Sequence, residues 1–156
     1  MVPLIVMLVG WLAFRLAGAF GLLHATGSWT DALRAALALM FVVTGAAHFV
    51  PRGRIEMVRM VPPSLPRPDL LVTLTGILEL LGAAGLLVPW LVRASACALI
   101  ALLIAMFPAN MRAAGMHLTV AGRPAMSLAL RLPLQLFWIG ALMWVAIFAV
   151  NPGAAG

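Results

Sequence analysis

Five stretches of the chain approach the roughly 20 mostly apolar residues that a helix needs to cross hydrocarbon. They cover 2–23, 32–50, 70–92, 94–109 and 132–150; Arg15 interrupts the first and Glu79 sits near the middle of the third. None alternates with period two, and all are too long for barrel strands. The expected core is therefore a bundle of helices, each of which satisfies its own backbone groups in lipid. Punctuation fits the pattern. Ser28-Trp29-Thr30-Asp31 reads as a capping box with Asp in the acidic position, and Pro68-Asp69 introduces the third span with Asp69 as its cap. Pro89 closes that span, Pro108 ends or kinks the fourth, Pro133 suits the first turn of the fifth, and Asn151-Pro152-Gly153 stops it. No positive charge precedes the apolar run of the first segment, which argues against a secretory signal, although Ala17-Gly18-Ala19 is compatible with a cleavage site. We read it as a peripheral helix whose Arg15 snorkels toward the nearer interface.

Composition strengthens the membrane reading. Of 156 residues, 65% are hydrophobic and 9% charged, against about half and about a quarter in soluble domains. Mean hydropathy is +1.14. This excludes an ordinary soluble enzyme, a disordered tail and a disulfide scaffold. The net charge of +6 comes from arginines alone, with no lysine. In such a chain the excess marks loops on one membrane side rather than a nucleic-acid surface. With five crossings, the connections 51–69 and 111–131 share a side and hold Arg52, Arg54, Arg59, Arg67, Arg112, Arg123 and Arg131. The opposite side has Arg34 and Arg93, read as snorkelling helix ends. The positive-inside rule makes the richer side cytoplasmic. From Arg52 to Val61 the pattern places Arg52, Glu56 and Arg59 on one helical face and Ile55 and Val58 on another, as in a short interfacial helix. Pro62, Pro63, Pro66 and Pro68 should then hold the chain extended.

Polar groups at membrane depth need a reason. Glu79 lies about ten residues, hence about 15 Å, from either end of its span. Thr75, Gly76, Gly82 and Ala83 share its face and leave room for a helix or a ligand. Glu79 is then either an interhelical hydrogen bonder or a group that moves protons or binds a ligand. His48 lies near the cytoplasmic end of the second span, one turn after Thr44 and Gly45; it is a satisfied hydrogen bonder or a base. Its expected depth differs from that of Glu79, so contact needs offset or tilted helices. Asn110 closes the fourth span, and Arg131, Gln135 and Trp138 share one face of the fifth. Interface anchoring explains Arg131 and Trp138 better than Gln135. Together, His48, Glu79, Asn110, Arg131, Gln135 and Trp138 could line a cytoplasm-facing pocket suited to a small lipophilic carbonyl compound. Haem lacks paired ligands at matching depth, since His24 falls outside and His117 beyond the fourth span. Zinc lacks ligands and spacing. Cys97, the single cysteine, is expected to be a small core residue and permits no intrachain disulfide.

The order of several motifs resembles the DoxX family of small bacterial membrane proteins, in its DoxX-like branch. The resemblance rests on Thr44-Gly45-Ala46-Ala47-His48-Phe49, Met60-Val61-Pro62, Thr75-Gly76-Ile77-Leu78-Glu79-Leu80-Leu81-Gly82, Phe107-Pro108-Ala109-Asn110 and Arg131-Leu132-Pro133-Leu134-Gln135. The arginine-only, Ala-, Gly- and Pro-rich composition resembles that of high-GC actinobacteria. The resemblance implies a four-helix domain over 32–150, an added helix over 1–24 and a short tail over 151–156. Relatives are linked to thiosulfate–quinone oxidoreduction, to oxidative-stress complexes with soluble thiol enzymes and, more distantly, to receptor assembly. Two functions follow as expectations. One is a redox-associated subunit in the bacterial cytoplasmic membrane that binds a quinone, with a soluble or membrane redox partner. The other is a non-catalytic scaffold or assembly factor. A small transporter is disfavoured by size unless the chain forms a homo-oligomer. Whether it is itself an enzyme stays open.

Overall fold

The computed structural model describes residues 2–115, 119–120, 123–124 and 127–149. Six helices follow one another: α1 (Val2–Ala19), α2 (Trp29–Ala47), α3 (Pro51–Met60), α4 (Pro68–Leu87), α5 (Val92–Gly115) and α6 (Leu128–Phe148). Short 3-10 turns at His24–Thr26 and Pro89–Leu91 join α1 to α2 and α4 to α5, and a two-residue antiparallel pair, Thr119–Val120 with Arg123–Pro124, lies between α5 and α6. All the helices but α3 belong to stretches long and apolar enough to cross a membrane. His117 and the tail 151–156 with its stop signal lie outside the described residues.

The packing is pairwise. α2 lies against α1 and α4, α4 against α5, α5 against α6, and α6 touches α2. Phe41, Leu37, Leu86, Leu99, Leu142 and Val145 fill the centre with almost no exposure. Outward faces stay apolar, with Ile5, Val9, Leu12, Leu81, Ile104, Leu136 and Ile147 all exposed, as lipid contact requires. α1 is peripheral, packing chiefly against α2, where Met7 is fully buried and a Cβ at Gly10 would lie 3.3 Å from Leu39.

Several sequence expectations are corrected. Of the two alternatives at Pro108, an end is excluded: α5 runs through it to Gly115. Proline costs the helix one hydrogen bond, yet neighbouring helices can compensate within a membrane bundle. α6 begins at Leu128, so Pro133 is internal rather than in the first turn. The cap of α4 is Arg67, in a left-handed backbone (φ 50°), with Pro68 next; Asp69 lies inside the first turn. A following proline excludes the right-handed conformation from Arg67. The proline-rich connection is not extended: Leu65 N–H donates to Pro62 O (3.0 Å), closing a turn with Pro63 at the position that favours it. On α3, Ile55 is exposed like Arg52 and Arg59, while Val58 and Glu56 are half-buried, so the charged and apolar positions do not divide cleanly into an outer and an inner face. Arg34, read as a snorkelling helix end, pairs with Asp31 at 3.3 Å. Cys97 is exposed, not in the core, because Ala96 and Leu99 take the inward face of α5. The capping box forms as expected: Asp31 N–H donates to Ser28 Oγ, whose hydroxyl donates back to Asp31 Oδ2 at 2.6 Å.

Small residues set the helix spacing. A Cβ on Gly76 would stand 2.7 Å from His48 Cβ, and one on Gly45 would stand 3.1 Å from Gly76 O. α2 and α4 therefore touch backbone to backbone, as polar and small residues permit in lipid. Gly76→Ala should destabilise the bundle by about 1–3 kcal/mol, the usual cost of overpacking. Gly140→Ala, whose Cβ meets nothing within 4 Å, should be neutral. Thermal unfolding in lipid nanodiscs compares them.

Candidate functional site

The α2–α4 contact brings His48 and Glu79 together. The helices run antiparallel, and helical side chains lean toward their own N-termini. His48, at the C-terminal end of α2, therefore leans into the bundle, while Glu79, midway along α4, leans toward the helix ends. Their sequence depths differ, but the lean closes the gap: His48 Nε2 lies 3.5 Å from Glu79 Oε1. Both residues are buried, with Glu79 4% exposed, and Gly76 provides the space into which the imidazole fits.

The surrounding hydrogen bonds decide which ring nitrogen faces the carboxyl. His48 Nδ1 is 2.9 Å from Val72 O. A carbonyl only accepts, so Nδ1 carries the hydrogen. Thr75 Oγ1 lies 3.3 Å from the same nitrogen and directs its own proton to Leu71 O or Val72 O, each 3.0 Å away. With Nδ1 directed at Val72 O, Nε2 is the nitrogen that faces Glu79. Thr44 Oγ1 contacts Glu79 Oε2 at 2.5 Å and Phe41 O at 3.3 Å, and its hydroxyl can donate to either oxygen. A buried carboxyl and a buried imidazole thus face each other, each held by a further partner on the bundle side.

A clamp at the helix ends supports the pair. Arg54 on α3 donates to His48 O (3.3 Å), Asp69 O (3.0 Å) and Thr73 Oγ1 (2.9 Å), joining the ends of α2 and α4. Arg112 donates to Val61 O from α5. Sequence reading gave Arg54 only to the interfacial helix. Its role depends on a turn at Pro62–Leu65 that folds α3 back on α4, and no local signal encodes that contact.

Asn110, Arg131 and Gln135 form a second set between α5 and α6. Arg131 donates to Asn110 Oδ1 (3.2 Å), Asn110 Nδ2 lies 3.5 Å from Gln135 Oε1, and buried Gln135 donates to Leu103 O at 2.6 Å. Leu103 sits beside the carbonyl of Ile104, which Pro108 leaves without its helical donor. Trp138 is half-buried against the apolar core and meets Phe137 edge-on. The described contacts of His48 and Glu79 lie on α2, α3 and α4, and those of Asn110 and Gln135 on α5 and α6. Of the six residues expected to line one pocket, His48 and Glu79 contact each other, Asn110 bonds Arg131 and Gln135, and Trp138 makes apolar contacts. Among the described residues, no group of three metal-ligating side chains occurs.

If His48 and Glu79 act as a unit, their effects on stability are not additive. His48→Leu and Glu79→Leu should each destabilise the protein, and the double variant should cost less than the sum by about 0.5–3 kcal/mol. Equilibrium unfolding of the four members of the cycle measures this.

No curated protein and no solved structure matches the chain. One family model does, under the description "Domain of unknown function (DUF8561)", and it spans residues 37–148. The matched region starts within α2 and runs to the end of α6. It contains both polar sets and leaves α1 outside. With more than two thirds of its length matched, this chain belongs to the DUF8561 family.

Proposed function

We propose that the protein is a redox-associated subunit of the bacterial cytoplasmic membrane that binds a quinone-like lipophile and exchanges a proton with it through His48 and Glu79. The observation that carries this reading is a buried imidazole and a buried carboxyl 3.5 Å apart, with Val72 O and Thr44 Oγ1 holding their other polar atoms. Reduction of a quinone to a quinol takes two electrons and two protons. A partner oxidoreductase supplies the electrons, the pair passes protons to the carbonyl oxygens, and water at the helix ends replaces them. Asn110, Arg131 and Gln135 offer donors at the mouth to a second carbonyl. Kinship with the DoxX family, with α2, α4, α5 and α6 as its four-helix core and α1 as an addition, is part of the same proposal. So is the orientation that places 51–69 and 111–131 in the cytoplasm.

A scaffold or assembly factor is the second reading. It is favoured by the backbone contact at Gly45 and Gly76, which makes the pair a tie between helices as well as a proton carrier.

Two experiments test these proposals. Mass spectrometry of gently purified protein should find a retained quinone that is lost in His48→Ala and Glu79→Gln. If the partner's activity is unchanged by both substitutions, the scaffold reading replaces the redox one. For orientation, Cys97→Ala gives a cysteine-free background. His24→Cys should then react with an impermeant thiol reagent in intact cells, and Ser64→Cys only after permeabilisation.

A further inference from the structure

A second feature lies at the opposite end of α2 from His48 and plays no part in proton exchange. α1, α2 and α6 enclose an apolar, outward-opening groove of about 300 Å³, walled by Met7, Trp11, Leu33, Phe137, Gly140 and Trp144. Met7 and Trp11 sit one turn apart on α1, and Arg15 continues the same face by one more turn. Two of the lining indoles are tied to the start of α2. Trp11 Nε1 donates to Trp29 O at 3.0 Å, and Trp144 Nε1 lies 3.3 Å from Thr30 Oγ1. Both indoles have thus placed their N–H groups on α2 and offer only ring surface to the groove. Trp11 meets Trp29 edge-on at 5.7 Å, and the Arg15 guanidinium lies 5.0 Å over the Trp29 ring.

Arg15 is the unexplained group. It is half-buried, its Nε has no hydrogen-bond partner, and no carboxylate pairs with it among the described residues. The carboxylate on the adjoining turn, Asp31, is already held by Arg34 and Ser28. An arginine near a membrane boundary with its charge uncompensated calls for an anion, and its planar fork matches phosphate. The apolar groove, lined by Trp11 one turn before Arg15 on the same face of α1, calls for a hydrocarbon chain. One molecule satisfies both requirements. We propose that the α1–α6 groove is a site for an anionic phospholipid, with one acyl chain against Trp11, Phe137 and Gly140 and the phosphate on Arg15.

Gly140 makes the proposal testable without disturbing the fold. It lines the groove, and a Cβ there meets nothing within 4 Å. Gly140→Leu should therefore fill the groove and leave the bundle intact. Three tryptophans at the site (Trp11, Trp29 and Trp144) supply the signal. The protein is reconstituted in phosphatidylcholine bilayers containing a small fraction of lipid brominated on its acyl chains, which quenches tryptophan on contact. Brominated phosphatidylglycerol should quench several-fold more than brominated phosphatidylcholine at the same fraction. Arg15→Gln and Gly140→Leu should each abolish the difference, while Arg93→Gln retains it. Equal quenching by the two lipids in the wild type overturns the proposal. So does a preference that survives both groove substitutions while thermal unfolding shows them folded, or one that disappears with Arg93→Gln.

Discussion

The structure depends on how closely α2 approaches α4. Two glycines, Gly45 and Gly76, let the backbones touch, and that contact determines what the neighbouring side chains can reach. With a larger spacing, His48 could not bond the Val72 carbonyl and Glu79 at once. In lipid no hydrophobic force holds helices together, so association rests on packing and on polar ties. Here both act at one place: the glycines bring the helices together, and the Thr44–Glu79–His48 chain joins them. The site and the fold are in this sense one interaction.

Arg54 extends the same logic to the bundle mouth. It gathers the carbonyl of His48, left over where α2 ends, and that of Asp69 in the first turn of α4. α3 thus serves as a brace across the ends of α2 and α4, with Ile55, Arg52 and Arg59 turned outward. On the far side α5 and α6 are tied in another way. Gln135 donates to Leu103 O on α5, one residue before the carbonyl that Pro108 leaves without its helical donor.

Much of this was legible in the sequence, and the rest was not for definite reasons. Apolar run length gave the five long helices, since hydrocarbon thickness permits few alternatives. The Ser28–Asp31 cap was readable because capping is local. Helix ends near proline were misplaced, because tertiary contacts can supply what proline removes; Pro108 and Pro133 both lie inside helices. Cys97 was misplaced because small residues occur on both faces of a membrane helix, and periodicity is weak when lipid and core are equally apolar. For the polar residues, depth was estimated from sequence position alone. That estimate set His48 and Glu79 apart because it ignored the lean of side chains on antiparallel helices. Nor did it say that His48 bonds to α4 and Gln135 to α5, because shared depth does not say which helices are neighbours.

The orientation of the imidazole has one more consequence. Its tautomer is dictated by the oxygen of Val72, a peptide group, and not by the isopropyl side chain. Exchanging valine for isoleucine or alanine at that position would leave the dictating atom in place. A comparison of residue identities alone would then miss it, although it decides which ring nitrogen faces the acid.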